Sequence, residues 1–304
     1  MSQDLRFQRE VAAPPEYVFD AFTSPDGQEA FYGQDDPGWI VESDCDLRVG
    51  GAWTVAFGPS ARELYRHEHV FQVIERPQRI VVATTETRLD NTTLKTESEI
   101  TFERRDGRTL VTMVQRGLPT AALREEHESG LPNAVARLEA SITSRRRALD
   151  AMAREVIDTN RYMVLGTQDP DGQPRLSPVY YTPARYADFY WVSSPDAQHT
   201  HNLRDRPAVQ IVIFDSTAAV GAGQAVYLTA TARELVDDEL DEVIHEAFRT
   251  TTGARSFAPA ELRGAADLRL FVAHLASCEV HVPGRHPVLG RGVDSRQAAD
   301  PTVP

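Results

Sequence analysis

Two pairs of histidines have spacings that could support chemistry. His67 and His69 lie in "YRHEHVF", whereas His199 and His201 lie in "SPDAQHTHNLRDRP". Imidazoles bind metals and move protons near neutral pH. The first stretch alternates, which predicts a strand with both rings on one face. No carboxylate or third ligand accompanies them on that face, so we predict no metal site and regard His67 and His69 as weak candidates for catalysis.

The second pair indicates a different chemistry. The chain must pass between two strands here, which predicts a short helix with Asp196 as a plausible cap. The first N–H groups of a helix attract an anion. On a helix, His199 and His201 do not face each other, so joint metal ligation is disfavoured. Two interpretations stay open for this stretch: an anion site at a helix start, and an ordinary helix cap.

The elements that position His67 and His69 form a strand-rich first half. A strand "LRFQREVAA" and a helix opened by Pro14 and Pro15 precede alternating runs, which are separated by the turns "VGG", "ERPQ" and "RDG". Because proline lacks an N–H, a long helix is expected to begin near Pro132. The order predicts an antiparallel sheet packed on this helix. The apolar stripe of the helix comprises Leu131, Val135, Leu138 and Ile142.

This half also resembles a known family. The ordered stretches "VAAPPEYVFDAFTSP", "DLRVGGAWTVAF", "YRHEHVFQVIERPQRIVVAT", "SEITFERRDGRTLVTMVQRG" and "SGLPNAVARLEASI" are similar to those of the START-like (SRPBCC) superfamily, in the branch homologous to heat-shock ATPase activators. The resemblance covers residues 3 to about 145 and implies a helix-grip fold around an apolar pocket. Members bind lipids, polyketides or other hydrophobes, or act as interaction modules. The family often has Gly-Trp where this chain has Gly130 and Leu131, which changes the expected cavity wall.

The second half begins a new sheet near Arg161. The "DPDG" turn and the runs "DFYWVS", "AVQIVIF" and "GQAVYLTATA" are typical of strands and their connections. The ordered motifs "GQPRLSPV", "WVSS", "HTHNLRDRPAVQIVIF" and "GQAVYLTATA" resemble the pyridoxamine-phosphate-oxidase-like split β-barrel family, over about 150 to 283. Its members bind FMN, sometimes a deazaflavin or haem, between the two barrels of a homodimer. Some have lost the cofactor.

Carried over position by position, this second resemblance implies a cofactor site. The strand "RLSPVYY" would lie along a flavin ring, and Gln224 would contact the ring. Gln198 and His199 stand where the family commonly has basic phosphate ligands, which implies weaker phosphate binding here. The implied cofactor-binding residues are Arg175, Ser177, Pro178, Val179, Tyr180, Val192, Ser193, Gln198, His199 and Gln224.

Length and composition restrict the class of protein. The 304 residues suffice for two domains, and we predict a START-like domain over 1–147, a split barrel over 148–285 and a flexible tail over 286–304. The net charge of -13 disfavours nucleic-acid binding. No stretch is apolar enough for a membrane span or a signal peptide, which favours the cytoplasm. Cys45 and Cys278 are expected to be free thiols.

These features predict an α+β protein, a helix-grip unit followed by a split barrel. The leading functional hypothesis is a flavin-dependent oxidoreductase, with FMN or a deazaflavin, whose helix-grip domain binds or gates a small hydrophobic substrate. One alternative is a ligand-binding or chaperone-like homodimer with a cofactor-free barrel. Another is a cyclase or dehydratase that uses His67 or His69 as a base in the helix-grip cavity.

Overall fold

The computed structural model describes residues 4–248, 256–286, 289–290 and 292–303. They form two compact units that divide after Ser144. The first unit contains one antiparallel sheet in the order β1-β7-β6-β5-β4-β3-β2. Its elements are β1 (Leu5–Val11), α1 (Pro15–Phe22), α2 (Pro25–Tyr32), β2 (Ile40–Cys45), β3 (Ala52–Ser60), β4 (Glu63–Glu75), β5 (Arg79–Thr87), β6 (Thr93–Arg105), β7 (Arg108–Arg116) and the part of α3 (Ala121–Thr159) up to Ser144. The rest of α3 belongs to the second unit.

The core of this unit lies between the sheet and the apolar stripe of α3. Val135 and Leu138 on α3 are fully buried, as is Phe19 on α1. Burial of each such side chain contributes about 1.5–3 kcal/mol. The "RDG" turn between β6 and β7 has positive φ at both Asp106 (47°) and Gly107 (78°), as a tight hairpin turn requires. The predicted helix-grip arrangement is therefore confirmed.

Pro132 does not begin the long helix, contrary to the prediction. The helix starts eleven residues earlier at Ala121, and Pro132 lies inside it. An interior proline removes one hydrogen bond and costs roughly 3 kcal/mol. The apolar stripe is buried along the following turns, and this packing offsets the cost. Arg9 Nη1 also donates to the Pro132 carbonyl at 2.9 Å.

The second unit is a split-barrel sheet in the order β10-β11-β14-β13-β12-β8-β9, with β15 paired to β14. Its core includes Trp191 stacked on Phe271, with ring centroids 5.4 Å apart. The elements are β8 (Tyr162–Gln168), β9 (Pro174–Tyr180), β10 (Thr182–Ala184), β11 (Asp188–Ser193), α4 (Gln198–Asp205), β12 (Ala208–Phe214), β13 (Ala225–Glu234), α5 (Asp237–Ala247), a 3-10 turn (Pro259–Glu261), β14 (Arg269–Val282) and β15 (Ser295–Ala299).

The segment predicted to be a flexible tail contains a strand. Ser295–Ala299 forms β15, which pairs antiparallel with β14. The side chain of Gln297 is buried, and its amide donates to Leu289 O and accepts from Arg145 Nη2 at 2.9 Å. Because these buried polar groups are hydrogen-bonded, the short polar strand is stable. The sequence periodicity alone predicts no strand here. Residues 287, 288, 291 and 304 of this segment lie outside the described residues.

No helix in the described parts of either unit combines the length and the apolar character that a membrane crossing requires.

Candidate functional site

The helix-grip unit has a cavity of about 430 Å³, lined by α1, α2, α3 and the inner faces of β3 to β7. An aromatic cluster of Tyr32, Trp39, Phe57 and Tyr65 forms part of its wall. Phe57 is central: its ring centroid lies 4.6 Å from that of Tyr32, 5.4 Å from Tyr65 and 6.3 Å from Trp39. The cavity therefore offers planar apolar surfaces of the kind that small organic ligands occupy.

His67 and His69 both line this cavity, so the predicted face of β4 points inward. The sequence interpretation missed the polar partners that other elements bring to them. Glu86 on β5 is the cross-strand neighbour of His67, Gln115 comes from β7, and His127 comes from α3. From the sequence, the pairing of Glu86 with His67 could have been predicted only by knowing the register of β4 on β5. Together these five side chains form the polar cluster of the cavity.

Hydrogen bonding fixes which nitrogen of His127 carries the hydrogen. Gln115 Nε2 donates to Glu86 Oε1 at 3.1 Å, which leaves Gln115 Oε1 facing His127 Nδ1 at 3.0 Å. Because an amide oxygen only accepts, Nδ1 is assigned as the donor. In the neutral ring Nε2 is then an acceptor, and it faces Glu86 Oε2 at 3.4 Å. Two acceptors in contact need a hydrogen between them, which a protonated Glu86 or a ligand can supply.

Burial sets the charge state of the polar cluster. It raises the pKa of Glu86 to about 7, against the lowering by the Gln115 hydrogen bond and the Arg88 charge. It lowers the pKa of both His67 and His69 to about 3, and it also lowers the pKa of His127. Near neutral pH the imidazoles are uncharged, whereas Glu86 is close to half-ionised.

A second set of hydrogen bonds holds the imidazoles of β4. The Tyr32 hydroxyl lies 3.4 Å from His67 Nδ1 and 3.4 Å from His69 Nε2. His69 Nδ1 lies 2.9 Å from Thr84 Oγ1. Burial raises the pKa of Tyr32, so its hydroxyl stays protonated and donates to one of the rings. The side of the cavity near Tyr32 is thus ordered without any ligand.

One buried donor in the cavity wall has no partner within the described part of the chain. The indole N–H of Trp53 makes no hydrogen bond, although the residue is only 4% exposed. The Trp53 ring lies against His69, with centroids 4.3 Å apart. Leaving such a donor unsatisfied costs about 1–3 kcal/mol. A ligand with an acceptor group would remove that cost.

In the second unit, the predicted cofactor residues occupy three elements. Arg175, Ser177, Pro178, Val179 and Tyr180 lie on β9, Val192 and Ser193 end β11, and Gln198 and His199 begin α4. Among the described strands β9 is the last in the sheet and pairs with β8 alone, which leaves backbone groups free along its outer edge. Part of β9 also comes near β11.

The side chains near the start of α4 form two hydrogen-bonded sets, together called the α4 network. His199 Nε2 lies 2.8 Å from Ser193 Oγ. Arg175 donates twice to Asp169, at 2.7 Å each. Asn202 Nδ2 donates to Asp169 Oδ1 at 2.8 Å, and Asn202 Oδ1 accepts from Gln198 Nε2 at 3.0 Å. Of the predicted positions, these bonds join Ser193 to His199 and link Arg175 to Gln198 through Asp169 and Asn202.

Gln224 and the phosphate positions fit the prediction less well. Gln224 is half-buried just before β13, and no hydrogen bond among the described residues joins it to the α4 network. Burial, and then the charge of Arg175, lower the pKa of His199, so its ring is neutral near pH 7. Arg175, the one cation among the predicted positions, is paired with Asp169. The open edge of β9 could hydrogen-bond to the polar edge of a flavin ring. At the predicted phosphate positions there are hydrogen-bond donors, but no free cation to balance the charge of a phosphate.

The described residues give little support for a metal site or a reactive thiol. No group of three or more His, Cys, Asp or Glu side chains there is arranged to hold a metal ion. Burial raises the pKa of Cys45 to about 11 and that of Cys278 to about 12. Both are free cysteines, and both remain protonated and weakly nucleophilic near pH 7.

Comparison with known families gives one match for each unit. The family described as "Activator of Hsp90 ATPase homolog 1-like protein" matches residues 12–143. The family described as "Pyridoxamine 5'-phosphate oxidase" matches residues 149–281. The chain joins a START-like unit to a pyridoxamine-phosphate-oxidase-like unit. The predicted fusion is confirmed. The first unit has a ligand-binding type of fold, and the second has a fold related to flavin proteins.

Solved structures resemble parts of the chain. A protein of Chromobacterium violaceum is 22% identical over 45% of this chain and 95% of its own, with a TM-score of 0.40. A protein of Mycobacterium smegmatis is 23% identical over 45% of this chain and 88% of its own, with a TM-score of 0.39. A heme binding protein of the same organism is 22% identical over 49% of this chain and 57% of its own, with a TM-score of 0.38. No curated protein matches the chain significantly.

Proposed function

We propose that this protein is a flavin- or deazaflavin-dependent oxidoreductase that binds a small hydrophobic organic substrate in its helix-grip unit. The cavity is the observation that carries the proposal. Its volume of about 430 Å³ lies within the range of small-molecule sites, roughly 300–1,000 Å³. The aromatic cluster supplies apolar contact area, and the polar cluster supplies groups that orient a ligand.

The redox half of the proposal is supported by the family match over residues 149–281 and by the open edge of β9. A bound flavin or deazaflavin would supply hydride transfer. Backbone groups of Ser177 and Val179 would hold the polar edge of its ring. Gln198 and His199, with the first N–H groups of α4, would hold its phosphate. Neutral His199 would donate or accept one hydrogen bond there and add no charge.

A homodimer through the second unit is part of the proposal. Three large apolar side chains on adjacent strands β9, β8 and β12 are exposed: Leu176 by 73%, Tyr162 by 63% and Phe214 by 45%. The register places Leu176 beside Gly166 and Tyr162 beside Tyr180. Val212 pairs with Val164, so Phe214, two residues further along β12, lies on the same face as Tyr162. An exposed apolar face of this kind is typical of a protein interface.

The substrate half is tested by filling the cavity. Ala134 on α3 is buried and lines the cavity, whereas Ala140 on the same helix is exposed. Ala134→Phe should abolish binding of a neutral apolar fluorescent probe such as Nile red, because the phenyl ring occupies the space of the ligand. Ala140→Phe is the matched control and should bind as the wild type does. Equal probe binding by all three proteins would overturn this half.

The redox half is tested by the visible spectrum of the purified protein and by calorimetric titration with FMN and with a deazaflavin. A flavin band that bleaches on reduction, or saturable binding of either cofactor, is expected. His199→Ala should weaken cofactor binding about tenfold, the effect of one lost hydrogen bond. His201→Ala, on the exposed side of α4, should leave it unchanged. A colourless protein that binds neither cofactor would support a cofactor-free barrel instead.

Acid–base catalysis by His67 or His69 remains an alternative with weaker support. With pKa values of about 3, both imidazoles are poor proton acceptors at neutral pH. Replacement of both by glutamine should therefore leave the turnover rate unchanged. Loss of turnover in that variant would favour the cyclase or dehydratase hypothesis.

A further inference from the structure

Glu86 is a buried carboxylate without a cationic partner. It is 7% exposed, and in the described parts of the chain no arginine or lysine forms an ion pair with it. Its neighbours are neutral imidazoles: His127 Nε2 lies 3.4 Å and His67 Nε2 lies 3.9 Å from Glu86 Oε2. A buried charge is costly unless it is paired. In its ionised form Glu86 therefore offers a site for one positive charge, which no described side chain supplies.

The arginines that line the cavity are engaged elsewhere. Arg88 Nη2 donates to Glu126 Oε1. The guanidinium of Arg137 donates to the carbonyls of Ala30 and Phe31, at 3.2 and 3.0 Å. Those carbonyls belong to the last turn of α2, where a cation is favourable because of the helix dipole. Neither guanidinium is available to neutralise Glu86 without giving up these bonds.

A ligand that binds beside Glu86 must supply hydrogen-bond donors. Glu86 Oε2 and His127 Nε2 face each other as acceptors, as the His127 tautomer dictates. An ammonium group has three N–H donors and no acceptor, so it can bind both atoms at once. A hydroxyl has a single hydrogen and can satisfy only one of them.

The aromatic cluster lies beside this acceptor site. The ring of His67, next to Glu86, has its centroid 5.0 Å from that of Phe57 and 5.5 Å from that of Tyr32. Aromatic faces attract cations and pack well against the apolar part of an amine. The carboxylate, the acceptor pair and the aromatic rings therefore point to the same class of ligand.

We propose that the helix-grip cavity binds a hydrophobic amine in its protonated form, with the ammonium group between Glu86 and His127 and the apolar part in the aromatic cluster. This inference rests on the proposed function and names the substrate class of its cavity. The charged or titratable groups that face Glu86 are His67 from β4, His127 and Glu126 from α3, and Arg88 after β5.

The test compares phenethylamine with phenethyl alcohol, a neutral molecule of the same size. Binding to the full-length protein is measured by calorimetry between about pH 6 and pH 8, where the amine stays protonated. With the pKa of Glu86 at about 7, the ionised fraction rises across this range. The affinity for the amine should rise about tenfold, whereas the affinity for the alcohol should not. Amine binding at pH 7 should also release about half a proton.

Glu86→Gln separates the amine site from the cavity itself. The variant should still show saturable binding of phenethyl alcohol, which shows that the cavity is folded and open, and should lose the preference for the amine together with its pH dependence. Glu68→Gln, an exposed change on β4, is the control for net charge and should bind like the wild type.

Several outcomes would overturn the inference. If the wild type binds the alcohol as tightly as the amine, or if Glu86→Gln keeps the preference for the amine, the amine site is wrong while the hydrophobic cavity stands. If neither probe binds, and Nile red binds equally to the wild type and to Ala134→Phe, both the inference and the proposed substrate half fail.

Discussion

Replacing Glu86 with glutamine is expected to remove one contribution to the pH dependence of helix-grip stability, the loss of stability as the pH rises from about 4.5 to about 7. The buried histidines, whose pKa values are lowered, contribute in the opposite direction in both proteins, so the test uses the difference in stability between the two proteins. The folded protein holds the proton of Glu86 more tightly than the unfolded chain does, because the pKa is about 7 in the cavity and 4.5 without burial. The resulting stability is fully present below the lower value and is lost as the pH rises through about 7. At 1.36 kcal/mol per pH unit, the difference corresponds to about 3 kcal/mol.

Glutamine imitates the protonated form of Glu86. Its amide oxygen can accept from Gln115, and its amide nitrogen can donate to His127 Nε2. The variant should therefore match the wild type at about pH 4 and exceed it at about pH 8 by up to about 3 kcal/mol. Glu68→Gln removes the same formal charge from an exposed position and should keep the wild-type dependence.

Urea unfolding followed by tryptophan fluorescence measures this difference. Of the three tryptophans, Trp39 and Trp53 lie in the first unit and Trp191 in the second. A Trp191→Phe background makes the signal report on the helix-grip unit alone. The reasoning is refuted if the difference in stability between the wild type and Glu86→Gln does not change with pH, or if the wild type gains stability relative to the variant as the pH rises.

Other substitutions test packing and assembly. Gly130→Ala should stabilise the first unit by about 0.5–1 kcal/mol in denaturant unfolding, because an added Cβ meets open space inside a helix. Gly27→Ala should destabilise it by about 2 kcal/mol or more in the same assay, since the Cβ would collide with the Ala21 carbonyl. Leu176→Glu should shift the protein from dimer to monomer in light scattering, while Val220→Glu, an equally polar change at an exposed loop position, should not. A wild type that is monomeric, or a Leu176→Glu dimer, would contradict the proposed interface.

Side-chain alternation predicted correctly that His67 and His69 share one face of a strand, because the strand period is a local property. The partners of these residues could not be predicted in the same way. Glu86 reaches His67 through the register of β4 on β5, and His127 reaches Glu86 from a helix about forty residues further along the chain. Such contacts depend on tertiary packing, and no fixed spacing between residues in the sequence identifies them.

The expectation that the long helix begins at Pro132 is wrong, because tertiary contacts outweigh the unfavourable local propensity of this residue. Asp196 does not cap α4, contrary to the expectation, since Ala197 holds the N-cap position without a side-chain hydrogen bond. The polar residues of β15 also have unfavourable strand propensities, which pairing with β14 outweighs. In the second unit, the resemblance implied that Ser193, Gln198 and His199 bind a cofactor; the structure joins Ser193 to His199 and Gln198 to Asn202 by hydrogen bonds, and the cofactor role stays a prediction. It could not indicate that Asp169 pairs with Arg175, because that pairing belongs to this chain and to the "DPDG" turn.

A crystal structure of the protein with a bound apolar ligand tests the central claim most directly. Soaking with phenethyl alcohol is predicted to give density for one molecule inside the helix-grip cavity, between Trp53, His67 and Leu131. Density for the molecule only outside that cavity, or a cavity filled by the protein's own side chains, would contradict the account.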